Sequence, residues 1–331
     1  MINRSFPPER RAQALGYWSL VGAGAPVIGV VAGAPLVEVF GWRVIFMVQA
    51  PLSLIGALVS WRLLPETDRR DNVRFDVKGS LTLGAGAVLI LLTINRGNSW
   101  GWLSPQTLSA GIAGVFALWL FYRVETVAID PLMPVKWLKT RNVAFPVVTQ
   151  GLMNIAYMGS FLLVPQMLEN ALDYSPSHIG WLVISRPLTF SLIAPFAGFF
   201  VGRLGERKTG MLGAFMILLA MVALISVQSP NSDWRVVLGL SLTGFGMGIA
   251  APSLTALLAA SVKESDMGVA SAMQQLMSQM GAVLGGALMI AVHDITEGSG
   301  KVISYSYGLL IGVAATIAAI ITASLVRSTE N

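Results

Sequence analysis

The chain alternates between long apolar runs and short polar segments, and the lengths of these runs predict membrane-spanning helices. A helix needs about 20 apolar residues to cross roughly 30 Å of hydrocarbon. Ten runs approach or exceed this length, and they cover residues 12–37, 44–61, 79–95, 107–122, 142–168, 179–202, 209–227, 236–259, 268–292 and 303–326. The pattern therefore predicts an all-α polytopic membrane protein with ten transmembrane helices.

The composition agrees with a chain that lies mostly in lipid. Of its 331 residues, 54% are hydrophobic and 12% are charged, whereas soluble domains carry about 25% charged residues. The chain has no cysteine, which excludes a disulfide framework, a thiolate nucleophile and a cysteine-based metal site. The net charge of +5 does not require a nucleic-acid partner, because basic residues accumulate in the cytoplasmic loops of membrane proteins.

The basic residues of the connecting segments test the number of spans and predict an orientation. If the N-terminal segment and every second connection after it face one side, that side carries seventeen of the 22 Lys and Arg residues. The opposite side carries four, Arg43, Arg96, Arg235 and Lys301, and Arg186 lies inside a span. The positive-inside rule then predicts a multi-pass protein of the cytoplasmic membrane with both termini in the cytoplasm.

The first apolar run is rich in residues that break soluble helices. These include Gly16, Gly22, Gly24, Pro26 and Gly29. In lipid, neighbouring helices satisfy the freed backbone groups, and small residues let two backbones approach closely. Taken alone, these glycines are better explained by a helix-packing face, as at Gly29 and Gly33.

The segment that follows gives the run a more specific interpretation. Residues 41–46 read GWRVIF, and Pro51 comes shortly after them. Together with the preceding run they resemble the major facilitator superfamily, and within it the 14-spanner drug:proton antiporters of the EmrB/QacA type. The fifth helix of that family carries an antiporter motif of the form G…GPxxGG before a GWRWIF segment. The present chain departs from the motif at Ala25 and Val30.

A second signature lies between the sixth and seventh runs. Residues 198–208 read GFFVGRLGERK and resemble the superfamily's GxLaDRxGRK loop, which acts as a cytoplasmic gate latch. The residues of this gate-loop motif are Gly198, Gly202, Arg203, Gly205, Arg207 and Lys208. Gly202 stands at the position of the motif's Asp, and Glu206 stands at one of its Arg positions. A short basic inside loop is the alternative explanation for the same cations.

The register of that loop predicts how the chain is divided. In the family the loop joins the second and third helices of a six-helix half, so residues 142–331 would form a complete C-terminal half. Residues 65–141 would then hold central loops with two extra helices, and residues 1–64 would hold helices five and six of the N-terminal half. The resemblance thus implies a major facilitator fold of two plus two plus six helices, truncated at the N-terminus by four helices.

Arg186, on the sixth run, is the charged residue that the pattern places within a span. An unpaired Arg in mid-helix costs about 2.5–3.5 kcal/mol on insertion scales, so its side chain should face the bundle or a wet cavity. There it would pair with a carboxylate. The alternative is that it snorkels toward the headgroups.

Polar and aromatic residues suggest a substrate cavity near this arginine. Gln150, Asn154, Tyr157 and Phe161 recur at helical spacing on one face of the fifth run. Together with Gln166, Gln274 and Gln275 they would line a cavity suited to amphipathic ligands. The alternative is that the amides form hydrogen bonds between helices and stabilise the bundle.

The acidic residues bear on proton coupling. None of the 17 Asp and Glu residues falls at the centre of a predicted span. In the family the coupling carboxylates lie largely on the early helices. We therefore expect this chain to be uncoupled or inactive alone.

The resemblance implies multidrug efflux by proton antiport in the full-length form. Small lipophilic or cationic molecules and protons would be the transported species, and the proton motive force would replace any cofactor. The sequence leaves open whether an adaptor protein takes part. An exporter of a metabolite or siderophore with the same fold, or a non-transporting remnant, remains an alternative. A membrane-embedded enzyme is disfavoured, because the two histidines are isolated and no paired-carboxylate or HxxxD motif is present.

Overall fold

The computed structural model describes residues 35–63, 76–128, 131–263 and 266–326, together with residues 25, 29, 32 and 33. The regular secondary structure of these residues is α-helix with short 3-10 turns. The helices are α1 (Arg43–Leu63), α2 (Val77–Trp100), α3 (Pro105–Val127), α4 (Arg141–Asn170), α5 (Pro176–Val183), α6 (Ser185–Ile193), α7 (Ala197–Ile225), α8 (Asp233–Ala260), α9 (Met267–Ile295) and α10 (Lys301–Ser324). The prediction of an all-α polytopic chain is confirmed.

Eight stretches of described helix are long and apolar enough to cross a membrane. One of them, Pro176–Ile225, has 50 residues and contains α5, α6 and α7. A straight helix of that length would measure about 75 Å, more than twice the hydrocarbon thickness. The predicted spans 179–202 and 209–227 both fall in this stretch. The predicted span 12–37 lies almost entirely outside the described residues.

The long stretch is broken at a single glycine between those two predicted spans. Gly205 has φ 76° and ψ 162°, a backbone conformation that is neither α-helical nor readily adopted by a residue with a Cβ. Helical residues continue on both sides of it. The predicted loop at residues 203–208 is therefore a one-residue turn inside helix. Glycine makes it because only glycine adopts a positive φ at low cost.

The helices α4–α10 pack into one bundle with α4 at its centre. α4 packs most extensively on α9 and α10, and it also contacts α7 and α8. α7 and α8 lie side by side, and α6 packs on α8. The core between these helices includes Met153, Leu163, Met221 and Leu254, all almost completely buried.

Glycines set the closest helix crossings in this bundle. A Cβ at Gly281 of α9 would lie 2.0 Å from the carbonyl oxygen of Gly151 on α4, and a Cβ at Gly285 would lie 2.2 Å from that of Ile155. At these points backbone meets backbone, as small residues allow in membrane helices. Gly244 of α8 gives the same close approach to α6 and so fixes the position of that helix.

The α2–α3 hairpin is attached to the bundle through α2, which contacts α9. Between the hairpin and α9 lies an apolar cavity of about 220 Å³, in which Gln279 is the polar lining residue. Both helices are longer than the predicted spans 79–95 and 107–122, because a hydropathy pattern excludes the polar residues at the ends of a helix. The correction matters at α3, which continues past residue 122 and carries Glu125 within the helix.

α1 has no buried residue among those that the structure describes. It follows a turn at Gly41, where φ is 78°. The guanidinium of Arg43 lies 4.6 Å from the centre of the Trp42 ring. The helical segment before this turn reaches the bundle at Glu38, whose carboxylate accepts a hydrogen bond from the Ser177 hydroxyl at the start of α5.

Candidate functional site

Arg186 is buried between three helices of the bundle. It lies in the first turn of α6 and is 2% exposed. Its backbone is pressed against α8, because a Cβ at Gly244 would lie 2.3 Å from the Arg186 carbonyl oxygen. Its guanidinium carbon lies 3.4 Å from the centre of the Tyr157 ring and 4.8 Å from that of Phe161, both on α4. The side chain therefore turns toward α4, and snorkelling to the headgroups is not the conformation found.

The charge on Arg186 is only partly compensated in the described part of the chain. A guanidinium over an aromatic face gains about 2 kcal/mol when it is desolvated. Its Nη1 atom, however, is buried without a hydrogen-bond partner, and none of the described carboxylates forms an ion pair with it. A buried donor left unpaired costs about 1–3 kcal/mol, and more when it is charged. The site therefore presents a buried cationic N–H group that can bind an acceptor.

The polar residues predicted on α4 lie deeper in the bundle than the aromatic pair. Gln150 and Asn154 are both buried, and the Asn154 side chain donates to the Gln150 carbonyl oxygen at 2.9 Å. The Gln150 amide nitrogen lies 4.0 Å from the sulfur of Met247 on α8, and its Oε1 has no partner. Phe161, at the other end of this face, is 41% exposed. The face thus runs from a buried amide to a partly open aromatic ring.

The remaining predicted cavity residues are divided between two environments. Gln166 is half-buried on α4. Gln274 is buried on α9 and donates a hydrogen bond to the Thr255 hydroxyl of α8 at 3.0 Å, as expected of an amide that joins two helices. The neighbouring Gln275 is exposed. The structure thus brings Arg186 together with Tyr157 and Phe161, and it does not place Gln275 with them.

The structure describes the second sequence motif completely and only one of the five residues of the first. Gly16, Gly22, Gly24 and Pro26 fall outside the described residues, and Gly29 is helical with open space around it. Gly198 and Gly202 have open space beside them as well. The guanidinium of Arg203 lies 4.4 Å from the centre of the Phe199 ring. Arg207 and Lys208 follow the turn at Gly205 and are exposed.

The two histidines have partners that the sequence did not indicate. Nε2 of His178 lies 2.9 Å from Oδ2 of Asp233, at the start of α8. The hydroxyl of Tyr174 donates to Oδ1 of the same carboxylate at 2.6 Å, and the Tyr174 and His178 rings stack. His293 stacks on Tyr305 at 3.8 Å between ring centres. The interpretation of both histidines as isolated missed these partners, because Asp233 and Tyr305 belong to other helices.

The Tyr174 hydroxyl gives a testable pH dependence. Burial and the hydrogen bond to Asp233 raise the pKa of Tyr174 above its ordinary value near 10. The folded state therefore holds this proton more tightly than the unfolded state, and the free energy of unfolding should fall as the pH rises above about 10. Tyr174→Phe should remove this part of the fall. Tyr307→Phe, at an exposed ring, should keep it, and equal effects of the two variants would contradict the prediction.

Sequence reasoning also missed a pair of carboxylates at one end of the α2–α3 hairpin. Glu125 is 3% exposed, and its Oε2 accepts a hydrogen bond from the Met133 backbone N–H at 3.1 Å. Oδ1 of Asp76 caps α2 by accepting from the Gly79 N–H at 2.8 Å. Oε1 of Glu125 and Oδ2 of Asp76 are buried without partners. The Asp76-to-Gly79 spacing, typical of an N-cap, was the one signal available in the sequence.

These features define the class of the protein. Apolar helices long enough to span a bilayer, closely crossed at glycines and enclosing a buried cation, are those of a multi-pass integral membrane protein. The sequence model of the Major Facilitator Superfamily matches residues 1–136 and 147–331. The chain belongs to that superfamily.

Several drug-resistance proteins are similar to this chain. The multidrug resistance protein Stp of Mycobacterium tuberculosis is 26% identical over 293 residues, which cover 88% of this chain and 54% of that protein. The puromycin resistance protein pur8 of Streptomyces alboniger is 33% identical over 304 residues, covering 88% and 59%. The multidrug transporter protein MdtP of Bacillus subtilis is 23% identical over 300 residues, covering 90% and 56%. The chain spans little more than half the length of these relatives.

A solved structure supports the fold. A mutant of the nucleoside transporter NupG superimposes on this chain with a TM-score of 0.52 and 14% sequence identity. The match covers 93% of this chain and 82% of that one. At this level of identity the likeness concerns the arrangement of helices alone.

Proposed function

We propose that the transporter to which these residues belong exports small lipophilic or cationic molecules in exchange for protons, as a member of the 14-spanner drug:proton antiporters. The observation that carries the proposal is the Arg186 site. It combines a buried cation with two aromatic rings, one of them partly open, in the middle of a helical bundle. The names of the similar proteins Stp, pur8 and MdtP refer to drug resistance and transport, and they support the same proposal.

In this proposal the unpaired N–H group of Arg186 binds a carboxylate supplied from outside the described residues. The pair would neutralise the cation, and a charge-assisted hydrogen bond of this kind contributes about 1.5–3 kcal/mol. Tyr157 and Phe161 would then contact the apolar part of a substrate, since aromatic faces bind both apolar groups and cations. Gln150, Asn154 and Gln166, on the same helix as the two rings, complete the proposed cavity.

The proposed architecture has ten membrane crossings in two plus two plus six. The stretch Pro176–Ile225 would cross twice, with its cytoplasmic turn at Gly205 and the cations of the gate motif beside it. Residues 142–331 would form one half, residues 65–141 the connection with the extra hairpin, and residues 1–64 two helices of the other half. Both termini would be cytoplasmic. The contacts among α4–α10, and the attachment of the hairpin through α2 and through the 3-10 turn Val135–Lys139, support this division.

Transport in this family type proceeds by rocking of two halves about a central site. In the described residues, the bundle α4–α10 is well packed, whereas α1 has no buried residue. We therefore propose that residues 1–331 are uncoupled or inactive alone, and that four further helices supply the remainder of the first half and its coupling carboxylates.

Transport can be tested in an efflux-deficient bacterial host. We would compare the 331-residue chain with a fusion that carries the N-terminal part of pur8 ahead of residue 1. The fusion is expected to export a fluorescent cationic dye and to stop when a protonophore is added, whereas the chain alone gives no export. Proton-driven export by the chain alone would contradict the uncoupled state. A correctly inserted fusion that protects against no drug would favour a metabolite or siderophore exporter, or a remnant.

A further inference from the structure

We propose that Asp76 and Glu125 form a proton-binding site, in which one proton is shared between the two carboxyl groups. The site lies at the end of the α2–α3 hairpin where α2 begins and α3 ends. It is separate from the Arg186 site, and the inference does not depend on whether the chain transports a substrate. It rests on the positions of four carboxyl oxygens and on the burial of Glu125.

The two carboxyl groups converge on one point beside Gly79. A Cβ built on Gly79 would lie 2.3 Å from Oδ2 of Asp76 and 2.8 Å from Oε1 of Glu125. The distance between Oδ2 of Asp76 and Oε1 of Glu125 is therefore no greater than the sum of these two distances. Glycine at position 79 leaves the space between them open, because any side chain would fill it.

The two outer oxygens are held in place by backbone N–H groups. Oδ1 of Asp76 accepts from Gly79, and Oε2 of Glu125 accepts from Met133. The two oxygens that face each other, Oδ2 and Oε1, have no hydrogen-bond partner among the described residues and are shielded from solvent. An ionised carboxylate only accepts hydrogen bonds, whereas a protonated one also donates. A single proton bound between Oδ2 and Oε1 would give both unpartnered oxygens a hydrogen bond.

Burial makes the doubly ionised pair unfavourable. Glu125 is 3% exposed, so its charge would be poorly solvated. Two carboxylates that share a site repel each other, and one of them then keeps its proton to a higher pH than an isolated group.

In the described part of the chain, basic residues on the neighbouring elements do not neutralise the negative charge of the two carboxylates. The charged residues nearest to it along α2, α3, the 3-10 turn Val135–Lys139 and the start of α9 are Lys78, Arg123, Lys136, Lys139 and Asp266. The four basic residues are exposed, and none of them forms an ion pair with Asp76 or Glu125. No group of three or more described acidic or histidine residues is arranged to hold a metal ion. A proton is therefore the ligand that fits.

Proton release has a structural consequence. It leaves two like charges close together, one on Asp76 at the N-cap of α2 and one on Glu125 in the last turn of α3. Glu125 also holds the Met133 N–H, on the segment that leads into α4. Loss of the proton should therefore loosen the connection between the hairpin and the bundle.

Infrared spectroscopy of the purified full chain tests the site directly. The chain is expected to show the C=O stretch of a buried protonated carboxyl group at neutral pH, and Glu125→Gln should remove it. The new side-chain amide oxygen can still accept from the Met133 N–H, so this variant should fold. Asp76→Asn should lower the pH at which Glu125 ionises, because the neighbouring charge is gone. Glu297→Gln, at an exposed residue, should leave the band unchanged.

Thermal unfolding at different pH values gives an independent measurement. A carboxyl that keeps its proton in the folded state contributes stability that is lost as the pH rises through its folded titration. The melting temperature of the wild-type chain should fall over that range, and Glu125→Gln should flatten the fall. Absence of the band at neutral pH, or an equal slope in the variant, would overturn the proposal. So would stabilisation of the wild-type chain, but not of Glu125→Gln, by sodium or calcium ions, because a metal ion would then occupy the site.

Discussion

Arg186→Met is expected to lower export by the fused transporter at least tenfold while leaving the chain at least as stable as the wild type. The substitution removes a buried guanidinium that has an unpaired N–H group and whose insertion costs about 2.5–3.5 kcal/mol. Against this it loses the interaction with Tyr157 and Phe161, of about 2 kcal/mol. The net gain in stability should be about 1 kcal/mol. Loss of a charge-assisted hydrogen bond of about 1.5–3 kcal/mol corresponds to a tenfold or larger fall in transport.

Two further variants separate charge from packing at this site. Arg186→Lys retains the charge but loses the planar group that stacks on the Tyr157 ring, so partial transport is expected. Arg141→Met removes an exposed cation that also lies near an aromatic ring, at 5.6 Å from the Phe145 centre. It should change stability by no more than about 0.5 kcal/mol. Full transport by Arg186→Met would show that the buried cation serves packing alone.

Gly281→Ala is expected to destabilise the bundle severely. The added Cβ would lie 2.0 Å from the Gly151 carbonyl oxygen, which is backbone and cannot rotate away. α4 and α9 would have to separate, and these two helices form one of the largest contacts in the bundle. Overpacking of this kind costs about 1–3 kcal/mol. The melting temperature in detergent should fall, and combining Gly281→Ala with Gly285→Ala should prevent recovery of a folded chain.

The same helix contains a matched control for this experiment. Gly268, near the start of α9, has no atom within 4 Å of the position its Cβ would take. Gly268→Ala adds the same methyl group in open space and should be neutral or stabilising by up to about 1 kcal/mol, because alanine favours helix. Equal losses in the two variants would show that the close crossing of α4 and α9 is not the cause.

The sequence predicted which residues form helices more accurately than where those helices end. The runs at 44–61, 142–168 and 236–259 correspond to α1, α4 and α8 with small shifts at the boundaries. The errors are at polar ends, as at α3, where the helix continues to Val127 because its last turns pack against protein. At the predicted gate loop, a single glycine with a positive φ replaced several residues of loop.

Part of the candidate site was also predictable. The pattern singled out Arg186 because a charge within an apolar run is costly in lipid. Helical spacing placed Tyr157 and Phe161 on one face of a helix, and both are the aromatic rings that the guanidinium meets. The pairings of Asp76 with Glu125 and of His178 with Asp233 gave no signal, because their members are far apart in the chain and belong to different helices.

The amino-acid sequence by itself determined that this chain lies in a membrane, which segments are long and apolar enough to cross it and which charge is exceptional within them. These properties follow from the length of each apolar run and from the cost of placing charge in hydrocarbon. Only the tertiary structure decided which helices are neighbours and which polar atoms lack partners. The physical reason is that lipid and protein interior are equally apolar, so hydropathy does not indicate which face of a helix meets another helix.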